Sequence, residues 1–572
     1  MERTIKGILV GLSVCFSVVF ITPSAQAQFN DAFIRAVDQN APGPFHIGTT
    51  WEYAYLDLQD ALDDAEGDPT ITEIWVAVGE YVPSKMFLPP NTLSSTFDLL
   101  EDVAVYGGFL GSAHPSGGED LLIQRDPETN ITTLNGDLDG NDNPADFPSG
   151  PSYLDNCWHV VRAHEVGASA VINGFTIING RAIGGVDKYA GGGLLALSAS
   201  PTVVRCTFRL NSAQNGGGLG LFAIGPPVST PTYVVNCSFI DNWAGVGQGG
   251  GVHVEGGTSI TLVNSLFLGN HAGTGGAVDV NSGLLSLMTN CTVRGNSANS
   301  NGGGIKKDGF VVVTNSILWE NTDGGGMDES AQISDSFGDP PAVAPTYSCI
   351  QGCDLLCADL DDHNTGDDPL FCDAVNHNLR LAIGSPCIDA ANNSDLPDDV
   401  ADVDDDPTNN GDPIPWDLDK RLRVFPDPSG TVDMGAYESQ HDQLCPADLD
   451  DDCSVGASDL LSLLASWGPC PGCAADLDCN LVVGASDLLS LLASWGLCAC
   501  GTGPGPLTLQ EELDDACLTM DDWDDFVAVM TDPESSQEDK DNYLCWMEHY
   551  FFDCNRCICI GASGCPGPDP FN

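Results

Sequence analysis

Along the middle of the chain, apolar and polar residues alternate in short runs, and the runs recur. INGFTIING (172–180), VRCTFRLNSA (204–213), VNCSFIDNWA (235–244), VNSLFLGNHA (263–272), TNCTVRGNSA (289–298) and TNSILWENT (314–322) share one layout: an alternating strand, a turn and an Asn. Gly clusters follow at 191–193, 216–218, 249–251, 275–276 and 302–304. Short alternating runs bounded by glycines predict strands. The closing residues Asn179, Asn211, Asn242, Asn270, Asn296 and Asn321 set a period in the range of about 20–50 residues that marks a solenoid or a propeller. No helical pattern separates the strands, so the expected fold class is mainly β, a right-handed parallel β-helix. Equivalent side chains of successive coils would then stack about 4.8 Å apart, and the Asn amides would form an internal ladder along the axis. Cys206, Cys237 and Cys291 share one column with Gly174, Ser265 and Ser316. In that column Cys206 and Cys237 either bridge or remain stacked buried thiols.

Two stretches break the pattern. In YLDLQDALDDA (55–65), Leu56, Leu58, Ala61, Leu62 and Ala65 fall at helical spacing, which predicts an amphipathic cap over the N-terminal end of the solenoid. Residues 395–415, crowded with Asp, Asn, Pro and Gly, predict loop.

Further on, DLDDDCSVGASDLLSLLASWG (448–468) returns almost unchanged as DLDCNLVVGASDLLSLLASWG (476–496). Counted as a twelve-residue loop, the first copy offers Asp448, Asp450, Asp452, Ser454 and Asp459 at positions 1, 3, 5, 7 and 12. The second offers Asp476, Asp478, Asn480, Val482 and Asp487. Side-chain oxygens at 1, 3, 5 and 12 with a backbone carbonyl at 7 suit Ca2+, a hard cation that takes six to eight oxygens. Position 6, usually Gly, is Cys453 or Leu481, and position 12 is Asp rather than the longer Glu. A helix should follow each loop, with Leu460, Leu464 and Trp467, or Leu488, Leu492 and Trp495, on its buried face. Two such units would pack as a pseudo-twofold pair.

Composition narrows the setting. The chain has 572 residues, more than one compact core usually spans. With 82 Asp and Glu against 19 Lys and Arg, its net charge of −63 would repel phosphate backbones and anionic lipid, so no nucleic-acid partner is expected. The acidity fits solubility, divalent-cation binding, or both. Residues 1–27 read as a signal peptide: Arg3 and Lys6, an apolar run over 7–21, then Ala25 and Ala27 before the cut. That run is shorter than the ~20 residues a membrane span needs, and no later segment is long and apolar enough, so an exported, extracellular or cell-surface protein with no transmembrane segment after cleavage is expected. More than half of the 23 cysteines lie between Cys445 and Cys565, which predicts a disulfide-linked tail. Cys445, Cys470, Cys473 and Cys498 bracket the doubled tract and favour disulfides over zinc.

EIWVAVGEYVPS (73–84), VAVYGGFLG (103–111), TLNGDLDGND (133–142), NSILWEN (315–321), GSPCIDA (384–390) and VDMGAYE (432–438) together resemble secreted bacterial β-helix proteins with polymorphic-outer-membrane-protein-like repeats, the choice-of-anchor Q family. The resemblance covers roughly residues 45–440 and implies a pectin-lyase-like solenoid far more firmly than an activity. The doubled tract resembles a type I dockerin, in the version carried by many secreted proteins of planctomycete-like bacteria. That resemblance implies an EF-hand-like, calcium-stabilised module that binds a cohesin-like or cell-surface partner through loop positions 10 and 11, here Ala457 with Ser458 and Ala485 with Ser486. A calcium-dependent structural cap or wall-attachment tail is the alternative. The expected domains are the signal peptide at 1–27, the β-helix at 28–440, the dockerin-like pair at 445–500 and a Cys-rich helical tail module at 507–572.

Many β-helix proteins cleave acidic polysaccharides, so a lyase or glycoside hydrolase is the alternative function. The motifs of pectate lyases and of polygalacturonase-type hydrolases are not visible. Glycoside hydrolysis needs two carboxylates about 5–9 Å apart. Asp241, Glu255 and Asp279 would supply them if neighbouring coils bring them together. The leading expectation is a scaffold or adhesin-like rod that presents a glycan- or protein-binding surface and is tethered by the calcium module.

Overall fold

The computed structural model of the chain describes residues 30, 32–184, 189–281, 284–335, 344–359, 362–382, 384–400, 403, 413–424, 430–439, 447–449, 454–470, 473–478 and 480–497. The repeated phrases are coils, each laying one strand in each of three long, all-parallel sheets, as a parallel β-helix requires. The first sheet has nine strands, from Ile34–Val37 to Val311–Thr314. The second also has nine, from Gly79–Tyr81 to Cys349–Ile350, and the third has eight, from Phe97–Leu99 to Ile333–Ser334. Register is kept from coil to coil: Val203 pairs with Val234 in the first sheet, Phe208 with Phe239 in the second and Leu221 with Val254 in the third. Alternate residues therefore point into one continuous core, where the rings of Phe208, Phe239 and Phe267 stack face to face at 4.8 and 4.9 Å.

The expected Asn ladder runs beside that core. Asn211 Nδ2 donates to Asn242 Oδ1 at 3.1 Å, Asn242 to Asn270 at 3.0 Å, Asn270 to Asn296 at 2.9 Å and Asn296 to Asn321 at 2.9 Å. Each amide also donates to a carbonyl of the preceding coil, as Asn270 does to Phe239 at 2.8 Å. Gln332 closes the series by accepting from Asn321 at 2.8 Å, and Asn135 opens it by accepting from Asn179 at 3.0 Å. The break between Asn179 and Asn211 is filled by the Gly180 N–H, which donates to Asn211 Oδ1. The cysteine column holds stacked, buried thiols: Cys206, Cys237 and Cys291 are free, and the Cys206 N–H donates to Cys237 Sγ at 3.3 Å. Burial pushes the Cys206 thiol up to about 11 and that of Cys291 up to about 12.

Helix Leu58–Gly67 caps the N-terminal end, as expected, with Asp57 accepting from the Gln59 N–H at its start. Leu58, Ala61, Leu62 and Ala65 join the core, whereas Leu56 precedes the helix and is 42% exposed. Beyond the last coil the chain returns along the corner between the first and second sheets. There Asn236, Asn264, Asn290 and Asn315 all have φ near +50°, a region Asn tolerates better than other side chains. Their Nδ2 groups donate to the returning carbonyls of Asp417, Trp416, Asp433 and Asn392 at 2.9, 2.7, 3.2 and 3.0 Å. Within this strap the fully buried Arg423 ties the carbonyls of Asp433 and Gly435 together at 2.7 and 2.8 Å. Among the described residues no helix is long and apolar enough to cross a membrane. The expected signal peptide at 1–27 and the expected tail module at 507–572 lie outside the described residues.

The ladder makes a direct prediction. Asn270→Ala strips partners from the Asn242 amide groups and the Phe239 carbonyl, at about 1–3 kcal/mol for each buried group left unmet. Its denaturation midpoint should fall clearly below that of Val246→Ala, a truncation at a 94% exposed site that should match the wild type.

Candidate functional site

The second copy of the doubled tract is described almost in full. Its helix, Ala485–Ala493, carries Asp487 in the first turn and follows the loop that holds Asp476 and Asp478; carboxylate oxygens of the three all lie within 4.8 Å of one another. Backbone donors hold the loop in shape: the Asn480 and Leu481 N–H groups donate to Asp476 at 2.9 and 2.7 Å, and those of Asp478 and Gly484 to Asp487 at 3.1 and 2.8 Å. Each carboxylate keeps lone pairs beyond those bonds. Asp476 and Asp487 are buried, and burial raises the pKa of both. Three close carboxylates, two of them short of water, are a donor set that a divalent cation would neutralise, so the residues present fit calcium. Asn480 uses its side-chain oxygen on the Val482 N–H at 2.9 Å. Leu481, at position 6, has φ +70°, so the loop takes the left-handed turn there without the usual Gly.

In the first copy, Asp459 is buried and accepts from the Leu449 and Gly456 N–H groups at 2.5 and 2.7 Å, as Asp487 does from Asp478 and Gly484 in the second. Asp448 is buried as well. Asp450 and Asp452 lie outside the described residues, and Ser454 opens strand Ser454–Val455. That strand pairs antiparallel with Gly496–Leu497, while Gly468–Pro469 pairs with Val482–Val483, so each loop is stitched to the end of the other unit's helix. Leu460, Leu463 and Leu464 of helix Ala457–Ala465 share one apolar cluster with Leu488 and Leu491. The helices end two residues earlier than the spacing predicts: Trp467 and Trp495 follow them and pack against the cluster, and Leu463 and Leu491 are fully buried in it. Ser458 and Ser486 are exposed, with Ala457 and Ala485 half-buried beside them, so both units offer the same small surface. Cys470 and Cys473 form a disulfide; Cys445 and Cys498 lie outside the described residues.

The three acidic residues considered for catalysis do not converge. Asp241 lies just beyond strand Ser238–Ile240 of the second sheet, exposed, with Arg209 and His377 as its charged neighbours. Glu255 and Asp279 belong to the third sheet, where register stacks His253, Asp279 and Lys306 on three successive strands. His253 is buried between the two carboxylates, with Nε2 3.2 Å from Glu255 Oε2 and Nδ1 3.6 Å from Asp279 Oδ1. Asp279 is fully buried, accepts from the Thr274 hydroxyl at 2.8 Å and lies 3.6 Å from Lys306 Nζ, which also pairs with Asp308. Burial opposes the imidazolium, but Asp279 and Glu255 outweigh it and raise the His253 pKa, while hydrogen bonding to His253 lowers that of Glu255. This arrangement is a buried charge ladder.

Toward the N-terminal end the same outer face opens into a cleft of about 340 Å³ lined by Phe87, Arg162, His164, Tyr189 and Phe222 among others. Arg162 is fixed by Asp98 through Nε at 2.6 Å and Nη2 at 3.0 Å, and its guanidinium lies 4.3 Å from the centre of the Phe87 ring. Tyr189 meets Phe222 edge-on at 5.5 Å, and burial with nearby Glu255 pushes its hydroxyl up to about 12. Nothing in the sequence pattern singles out Arg162 or Lys306, although each sits, like His253 and Asp279, at the outward middle position of a strand. No family model matches the chain, and no curated protein is similar to it.

Because the folded pKa of His253 lies above the ordinary imidazole value of about 6.5, its stabilisation is complete below that value and is lost as pH climbs through the folded pKa. The stability advantage of wild type over His253→Gln should therefore be largest in mild acid and shrink toward alkaline pH; a pH-independent difference would refute the ladder's charge. Separately, Leu481→Gly should raise the midpoint of the tail's unfolding by relieving about 1 kcal/mol of left-handed strain.

Proposed function

We propose that the chain is an exported, right-handed parallel β-helical rod of scaffold or adhesin type, which presents a lateral surface to glycan or protein and is tethered by a calcium-stabilised, dockerin-like module. The observation that carries this reading is the convergence of Asp476, Asp478 and Asp487 within 4.8 Å, on residues that the loop spacing alone nominates. The cross-paired strands support the tether, because an ion that fixes one loop also fixes the end of the other unit's helix. Ser458 with Ala457 and Ser486 with Ala485 then form two equivalent contact surfaces for a cohesin-like receptor. On the rod, the cleft beside Phe87 and Phe222 offers ring faces to a partner.

The experiment is calcium titration of the full chain after exhaustive chelation, by calorimetry and thermal melting. Wild type should bind Ca2+ and gain stability in one transition, as linkage requires. Asp476→Asn with Asp487→Asn should lose one site and most of that gain. A wild-type chain that takes up no Ca2+, with a melting curve indifferent to chelator, would remove the basis for the tether.

A further inference from the structure

A second cavity, of about 300 Å³, lies on the opposite flank, where the returning strap passes over the second sheet. Its floor is a column of hydroxyls: Thr176, Thr207 and Ser238 occupy one register position on three successive strands, about 4.8 Å apart. Leu266 takes the same position on the next strand and ends the column. All three side chains are half-buried, and none hydrogen-bonds to another described residue. At the inner end lies Asn236, only 4% exposed; its Nδ2 is spent on the Asp417 carbonyl, and its Oδ1 meets no donor. That oxygen is sealed from the cavity, so the three hydroxyls are the polar groups of the column that a ligand reaches.

The charges around the cavity are already committed. Arg205 donates to the Val403 carbonyl and lies over the Trp416 ring at 5.5 Å. Lys420 sits 3.7 and 3.6 Å from Asp126 and Glu128, and Asp419 holds Arg380 through two contacts of 2.6 Å. The walls between them include Ile131, Leu418 and Tyr437. An anion would meet Glu128 and Asp419. A hydrocarbon would leave the three hydroxyls unmet. A neutral polyol ring satisfies all three: it exchanges hydrogen bonds with the hydroxyls and turns its C–H face to the apolar walls.

We propose that this cavity binds an uncharged sugar residue of a glycan, held by Thr176, Thr207 and Ser238 between the coils and the strap. The proposal rests on the reading that the rod meets glycans, and it is independent of the calcium tether. The test uses the full chain in EDTA, so that failure of the tether leaves the result intact. Tetrasaccharides of glucose, mannose, galactose and xylose, with the galacturonate tetramer as the anionic arm, are titrated and followed by saturation-transfer NMR and calorimetry. At least one neutral tetrasaccharide should bind, and Thr207→Val with Ser238→Ala should weaken it by about tenfold, the worth of one to two hydrogen bonds. Val246→Ala, at a 94% exposed site that lines neither cavity, should leave that affinity unchanged. Binding of galacturonate alone, binding untouched by the double substitution, or no binding by any neutral tetrasaccharide would overturn the assignment.

Discussion

A side-chain amide can donate and accept along one axis, and the rod depends on that property. Each turn between the second and third sheets buries backbone groups that no strand pairing reaches. Asn211, Asn242, Asn270, Asn296 and Asn321 meet this demand by bonding both to one another and to the coil before. Because each amide completes its neighbour's bonds, the coils are held in register, and that register stacks the phenylalanines, the small Cys and Ser column, and every outward column as well. The columns in which function is sought are thus a by-product of the ladder.

The returning strap exploits the same regularity. Asn236, Asn264, Asn290 and Asn315 repeat a left-handed corner, leaving a line of amides that point outward with the spacing of the coils. A chain laid along that line finds its carbonyls met without forming a sheet of its own. The strap therefore covers a solenoid edge and, where it stands off the second sheet, creates a cavity that neither part has alone.

In the tail the logic is local. Backbone N–H groups converge on Asp476 and Asp487 because the loop bends at Leu481, and the bend brings carboxylates together that would otherwise repel. Strict repetition of the helix sequence follows in part from the shared leucine cluster. It extends to Ser458 and Ser486, which no packing constraint reaches.

Much of this was legible in the sequence, because it rests on periodicity. The alternating strands, the closing Asn of each coil, the N-terminal helix over Leu58–Gly67 and the loop positions of Asp476, Asp478 and Asp487 recur at intervals that a reader of the chain can count. What the chain alone does not disclose is which outward side chains become neighbours. Asp241, Glu255 and Asp279 look equivalent in sequence, yet Asp241 is exposed on another sheet, whereas the other two flank a buried imidazole. The pairing of Arg162 with Asp98 and the placing of Lys420 near Thr207 depend on how far each coil advances and where a non-repeating strap returns. Those are sums of many small packing energies over distant segments, and only the assembled tertiary structure evaluates them.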